Sequence, residues 1–201
     1  MNWKKWNAIR YTLYAPIYNV IKPIFKKARE FSISKLNLEK GSKVLIVGGG
    51  TGLDLPFFPP GSDITFTDFT PEMVRRAKKV NLQSGVTASF QTEDGANLSF
   101  QNEYFDAVVL HLIVAVIPDP QGCIDEANRV LKSGGEVVIL DKFMETEKPS
   151  FGRRILNPFI RVMFTDLNRR IEDFVPENWQ LLADEGVLLG RTFRVLHLRK
   201  R

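Results

Sequence analysis

Val44-Leu45-Ile46-Val47-Gly48-Gly49-Gly50-Thr51-Gly52 is the stretch on which the reading of the chain turns. A short β-branched run starting at Lys43 enters a loop with almost no side-chain bulk, the pattern of a buried parallel strand running into a tight turn. Glycines there let the backbone take positive φ and let another group approach the main chain closely. Working outward, Asp63 to Thr67 reads as a second strand, and Pro71 to Leu82 as a helix opening on proline just after Thr70, a good N-cap. Val86 to Gln91 and Phe105 to His111 read as the next strands. Asp119 to Leu131 reads as a helix stopped by Ser133-Gly134-Gly135, and Glu136 to Leu140 as the strand after it. Val187 to Leu198 closes the chain as extended structure turning near Gly190-Arg191. Strands alternating with helices predict a parallel sheet joined by right-handed crossovers.

With 201 residues and 44% hydrophobic content, the chain is long enough for one α/β domain with a two-sided core. A lone cysteine, Cys123, excludes an intramolecular disulfide framework and fits a reducing cytosol. It reads as a small buried residue on a helix. The net charge of +5 and the pI near 9.3 favour anionic partners without choosing among them. Nucleic acid is disfavoured, because no recognised binding motif accompanies this modest charge. No apolar run reaches the roughly 18 residues of a membrane-spanning helix. Lys4 and Lys5 precede an apolar stretch, but Pro16, Asn19 and Lys22 interrupt it and no small-x-small cleavage site follows, which argues against secretion.

Two flanking regions are basic and partly apolar. Between Trp3 and Phe31, apolar residues at three- and four-residue spacings alternate with lysines and arginines, predicting amphipathic helices broken near Pro16 and Pro23. Phe151 to Phe174 reads as a second such region. Basic helices carrying Trp3, Trp6, Ile17, Phe151, Ile155 and Phe159 could lie on an anionic bilayer or simply pack on the sheet; both alternatives stay open.

Asp68 ends the second strand, twenty positions after Gly48, where a carboxylate accepts hydrogen bonds from both hydroxyls of a ribose. The dinucleotide fingerprint needs a further glycine where Leu53 stands, so that a helix N-terminus can reach a pyrophosphate. Glycines at 48, 50 and 52 suit an adenosyl ligand without phosphate.

These residues resemble those of the class I S-adenosylmethionine-dependent methyltransferases over about residues 40–142. Glu93-Asp94-Gly95-Ala96-Asn97-Leu98-Ser99-Phe100 is similar to the family segment whose aspartate, here Asp94, receives the adenine amino group. Phe105 to Leu110 resembles the family's fourth strand, and Arg129 to Gly135 the stretch before the fifth. The resemblance implies a Rossmann-like, doubly wound, mostly parallel seven-stranded sheet with helices on both faces and an N-terminal helical lid. It divides a single domain, 1–201, into a lid over 1–38, a cofactor-binding core over 40–142, and substrate-side helices and C-terminal strands over 143–201. S-adenosyl-L-methionine is the implied cofactor, held by Gly48, Gly50, Thr51, Gly52, Asp54, Asp68, Phe69, Asp94, Gly95 and His111. The family usually carries an acid where Ile46 stands; Asp54 is the candidate substitute.

Tyr14-Ala15-Pro16-Ile17-Tyr18-Asn19 is similar to the N-terminal aromatic segment of quinone-type and bacterial phospholipid N-methyltransferases. Pro149 to Arg154 and Thr165 to Arg170 resemble the small bacterial phosphatidylethanolamine N-methyltransferase-like group. The implied acceptor is a small molecule or lipid, with the amine of a phospholipid headgroup first and C-methylation of a quinone precursor second. Tyr18 and His111 are the expected catalytic groups, orienting the amine or taking its proton. No metal cluster, Cys/His pair or Ser/His/Asp set is evident. The implied protein is cytoplasmic, with contact at the inner membrane surface an open alternative and the oligomeric state undetermined. A nucleotide-sugar or nicotinamide enzyme of the same fold is an alternative of another class, the latter disfavoured by Leu53, and a catalytically silent adenosyl-binding module would be consistent with Ile46.

Overall fold

The computed structural model describes residues 25–143, 169–188 and 191–201. Residues 25–33 form helix α1. The remaining elements are β1 (Lys43–Ile46), β2 (Asp63–Asp68), α2 (Pro71–Ala77), β3 (Thr87–Thr92), β4 (Phe105–His111), α3 (Pro120–Val130), β5 (Leu131–Lys142), β6 (Trp179–Leu188) and β7 (Phe193–Lys200). They build one seven-stranded sheet in the order β3-β2-β1-β4-β5-β7-β6. Strands β1 to β5 run parallel, whereas β7 pairs antiparallel with both β5 and β6. Strand β1 lies between β2 and β4, so the chain reverses its direction of winding there. A crevice opens outside the carboxyl ends of strands at such a point.

Alternation along β1 explains why both faces are covered. Val44 and Ile46 point to one face, among Ile64, Phe66, Val109, Val74 and Phe58. Leu45 and Val47 point to the other, among Val108, Leu110, Ile124 and Ala127 of α3. Ile46 thus fills apolar core beneath the glycine loop, where a carboxylate would be costly unless paired. Cys123 is buried on α3, and burial chiefly pushes its thiol up to about 12, which keeps it unreactive.

The expected boundaries shift in places for local reasons. Helix α2 ends at Ala77 instead of Leu82: beyond it Lys79 N donates to Arg76 O and Val80 N to Ala77 O, the i→i−3 pattern of a tightened last turn. Val80 and Leu82 then reach the core from a non-helical segment. Gly134-Gly135 does not stop a helix ahead of a separate strand. Helix α3 already ends at Val130, and β5 starts at Leu131 and bulges against β4 between Phe105 and Ala107. Gly134 has φ +79, and a Cβ on Gly135 would stand 2.9 Å from Asp106 O, so both glycines serve the bulge. Strand β6 starts at Trp179, before the expected extended region, and the expected turn near Gly190-Arg191 falls partly outside the described residues, at 189 and 190.

For the described part of the N-terminal basic region, the packed alternative holds. Ala28 lies against Leu140 and Val195, and the Phe25 ring meets Phe193 edge-on at 5.0 Å. Lys26 and Lys27 face outward. Residues 1–24, including Tyr18 and the tryptophans of that region, and residues 144–168 lie outside the described residues, as does most of the second basic region.

Candidate active site

A cavity of about 320 Å³ occupies the crevice at the carboxyl ends of β1, β2 and β4. Its floor is the glycine loop. Gly48 takes φ +64 where a Cβ would stand 2.2 Å from Ile113 Cδ1, so a larger residue would be strained in the turn and would displace the Ile113 side chain. Gly50 takes φ +60 with open space before it, which leaves its backbone accessible to a ligand.

Gly49 is closed in by the core instead: a Cβ there would stand 2.2 Å from Phe66 Cε2. Phe66 is fully buried and packs against Phe90 at 5.5 Å, so its ring cannot swing aside. Gly49→Ala is therefore expected to cost about 1–3 kcal/mol in denaturant unfolding, with Phe66→Leu restoring much of the loss. Wild-type stability in the single variant would show that the ring has room to move.

Asp68 staples this loop to the end of β2. Its Oδ2 accepts from Gly50 N at 2.9 Å, and its Oδ1 accepts from Thr70 N at 2.8 Å. Thr70 occupies the N-cap of α2 without capping it through its side chain. Burial pushes the Asp68 carboxyl above the usual aspartate value, against the N–H groups of Thr70 and Gly50, which favour the ion. Past β3, Asp94 Oδ1 accepts from Ala96 N at 3.2 Å, and Asn97 N donates to Asp94 O at 2.8 Å, making a tight turn. Gly95 permits that turn to lie on the sheet, since a Cβ would meet Val47 Cγ1 at 2.8 Å. Phe69, 40% exposed, stands at the cavity wall as an aromatic plate.

Of the residues singled out from sequence, Gly48, Gly50, Thr51, Asp68, Phe69, Asp94, Gly95 and His111 line this one cavity. Gly52 and Asp54 do not. Gly52 takes φ +82 and packs over Ala77. Asp54 turns inward, wholly buried, where Oδ2 accepts from Arg29 Nη1 at 2.6 Å and Oδ1 lies 2.7 Å from His111 Nδ1. Burial alone would raise this carboxyl, but the charges and hydrogen bonds of Arg29 and His111 overcome it and hold it well below the usual range. Asp54 thus reaches the cavity only through Arg29 and His111.

His111 is bonded at both nitrogens, with Nε2 2.9 Å from Ser32 Oγ. With Asp54 ionised, Nδ1–H donates to it and Nε2 accepts from the Ser32 hydroxyl. A proton-accepting role for His111 would displace or reverse the Ser32 hydrogen bond. Ser32, His111 and Asp54 form the serial contact of a nucleophilic triad, a set not evident in the sequence. Yet Ser32 is fully buried and Asp54 already neutralises Arg29, so the arrangement is a buried clamp rather than a nucleophile. It ties α1, the glycine loop and the end of β4 together.

Arg29 and Ser32 were not singled out from sequence, since both sit in a run that reads as an amphipathic basic helix, with Arg29 among its interspersed charges. Arg29 lines the cavity and its buried Nε has no hydrogen-bond partner among the described residues; the same holds for Thr51 Oγ1. Orphaned donors on a glycine-cradled wall fit a polar ligand seated there. Among the described residues, no cluster of His, Cys, Asp or Glu could hold a metal ion.

Comparison with known proteins agrees with this geometry. Residues 45–139 match the model of a methyltransferase domain family. A phosphatidylethanolamine N-methyltransferase from Cereibacter sphaeroides is 38% identical over 112 residues, covering 55% of this chain and 55% of that protein. A ubiquinone/menaquinone biosynthesis C-methyltransferase from Cupriavidus metallidurans is 30% identical over 123 residues, covering 59% of this chain and 50% of that protein. The chain thus spans about half the length of the curated relatives it matches. The crystal structure of an S-adenosylmethionine-dependent methyltransferase from Aquifex aeolicus superposes with a TM-score of 0.60 at 17% identity, covering 86% of this chain and 89% of that one, which shows the shared fold. Residues 45–139 are a methyltransferase domain of the class I, S-adenosylmethionine-dependent kind. S-adenosylmethionine is the cofactor of that class.

Proposed function

We propose that the chain transfers a methyl group from S-adenosylmethionine to a lipophilic acceptor, first the amine of a phospholipid headgroup such as phosphatidylethanolamine. The carrying observation is the single cavity that joins Asp68 and the glycine loop to an apolar wall of Leu53, Met73, Ile113, Val116 and Ile117. Similarity to the phosphatidylethanolamine N-methyltransferase supports the acceptor class. C-methylation of a quinone precursor is the second reading, favoured by the same apolar wall and the quinone-pathway relative.

Bound in this cavity, the cofactor supplies an electrophilic methyl group on a sulfonium. In this reading Asp68 holds the ribose hydroxyls and Asp94 receives the adenine amino group. The backbone of Gly48 to Gly50 lies against the remainder. The apolar wall excludes water and keeps the acceptor in contact with the methyl group, which is most of what an in-line displacement requires. A primary ammonium must first lose its proton, since its ordinary pKa lies near that of lysine, about 10. Tyr18, outside the described residues, is proposed to cap the cofactor and orient the amine. His111 is proposed to fix the wall on which the amine rests. Contact with an anionic membrane, through the basic segments before residue 25 and between 144 and 168, belongs to the same proposal. Among the described residues no helix is long and apolar enough to cross a membrane.

The test is an acceptor screen in mixed anionic vesicles containing phosphatidylethanolamine, ornithine lipid or a demethylated quinone, with product mass followed in each. Methylated phosphatidylethanolamine is the expected product. Methylation of the quinone alone would select the second reading, and failure to bind the cofactor at millimolar concentration would sink both.

A further inference from the structure

Much of the apolar wall of the cavity is one turn after β4, which contributes Leu112, Ile113, Val116 and Ile117. Leu112 enters it at φ +58, in the left-handed region that a bulky side chain rarely occupies. Such a turn persists only where its surroundings over-determine it. The holding groups are at the end of β5. Leu112 N donates to Leu140 O at 2.7 Å, and Ala115 N donates to Asp141 Oδ2 at 2.9 Å. Arg169 Nη1 donates to Val114 O, and its charge acts on Asp141 as well. Asp141 is only 2% exposed and lines no part of the cavity, and its other oxygen accepts from Lys142 N at 2.8 Å. A buried carboxylate is costly, and neither the proposed cofactor contacts nor the clamp around Asp54 uses this one.

We propose that Asp141 is a positioning residue for methyl transfer: its carboxylate holds the strained 112–115 turn on β5 and so sets where the acceptor stands against the methyl group. The proposal rests on the methyltransferase reading above. An in-line displacement tolerates little misplacement, and a wall shifted by about 1 Å can cost on the order of 100-fold in rate. Only the ion accepts at both oxygens. Burial pushes the Asp141 carboxyl up to about 6, against the N–H groups of Ala115 and Lys142 and the charges of Lys142 and Arg169. Cys123 faces it from α3, and Arg194 stands opposite on β7, tied to Asp184 and Glu172. His111 is bonded elsewhere, to Ser32 and Asp54. Protonation below about pH 6 turns one acceptor oxygen into a donor aimed at a backbone N–H, which loosens the turn.

Two measurements on the full chain test it: hydrogen exchange at the Ala115 N–H of the apo protein, read by NMR, and turnover in mixed anionic vesicles containing phosphatidylethanolamine. In Asp141→Asn the protection factor of that amide is expected to fall about 10-fold or more, the loss of a charged hydrogen bond. At saturating cofactor, kcat should fall about 10- to 100-fold, while S-adenosylhomocysteine binds within about threefold of wild type by calorimetry. In the unmodified chain both protection and kcat should decline as pH drops through about 6. The asparagine variant should lack that decline, whereas one owed to Asp68 would survive in it. An unchanged amide, an unchanged kcat, an affinity loss as large as the kcat loss, or a surviving decline would each overturn the proposal. Should Asp141→Asn fail to fold, the pH dependence of Ala115 protection in the unmodified chain decides. Failure of the unmodified chain to methylate phosphatidylethanolamine or a demethylated quinone would sink the acceptor reading instead, and the exchange measurement alone would then decide whether Asp141 holds the turn.

Discussion

Replacing Asp54 with alanine is expected to destabilise the protein by about 3–5 kcal/mol, the range for removing one partner of a buried ion pair. The melting temperature should fall by roughly 10 °C. The loss is large because each carboxylate oxygen meets a different buried group, Arg29 on α1 and His111 at the end of β4. Alanine leaves the guanidinium without its counter-charge and His111 Nδ1–H without an acceptor. Asparagine should cost less, since it keeps one carbonyl acceptor. The pH dependence has a definite sign. Asp54 titrates well below its ordinary value of 3.8 in the folded chain, so its stabilisation is complete above that value and is lost as pH falls through the folded pKa. The difference between wild type and variant should stay flat from neutrality to about pH 5 and shrink below about pH 4. A melting temperature within a degree or two of wild type would mean that the clamp does not hold the fold.

The same residue shows what could be read in advance and what could not. The glycine loop and Asp68 were legible because their signal is local: a β-branched strand, a run without side chains, and an acid at the end of the next strand. Asp54 sat beside that signal and was read with it as a ligand contact. Its direction is set by Leu55, which is wholly buried in the short 3-10 turn Leu55–Phe57, and by partners distant in sequence. Arg29 is 25 positions from Asp54, and Ser32 is 79 from His111, and neither spacing leaves a periodic trace. A buried arginine on an amphipathic helix looks like its exposed neighbours Lys26 and Lys27 until the other wall of the site is in place. Gly134-Gly135 was ambiguous for another reason, because a helix stop and a strand bulge ask for the same residue. Ile46 was read as a departure from the family pattern. The structure adds that the position faces apolar core, with Phe66 and Val109 in the same cluster.

Asp68→Ala is expected to act in the opposite way to Asp54→Ala, losing ligand and keeping the fold. In the proposed reading Asp68 makes two charged hydrogen bonds to the ribose hydroxyls, so the affinity for S-adenosylhomocysteine should drop about 100-fold or more by calorimetry. Stability should stay within about 1 kcal/mol of wild type. The asymmetry follows from the direction of the shift. Burial raises the Asp68 carboxyl, so the folded chain holds this ion at a cost, and alanine removes that cost along with the hydrogen bonds from Gly50 and Thr70. A raised folded pKa also means that the apo protein loses stability from this group as pH rises through that value, the reverse of Asp54. Ligand affinity should move against stability here. As pH falls, Asp68 takes up a proton above the ordinary aspartate range, one ribose acceptor becomes a donor, and S-adenosylhomocysteine binding should weaken before the fold does. Asp68→Asn should reproduce the low-pH affinity at neutral pH and remove this group's contribution to the pH dependence. If Asp68→Ala instead costs several kcal/mol and binds as tightly as wild type, the carboxylate is a staple for the glycine loop and the ribose contact lies elsewhere.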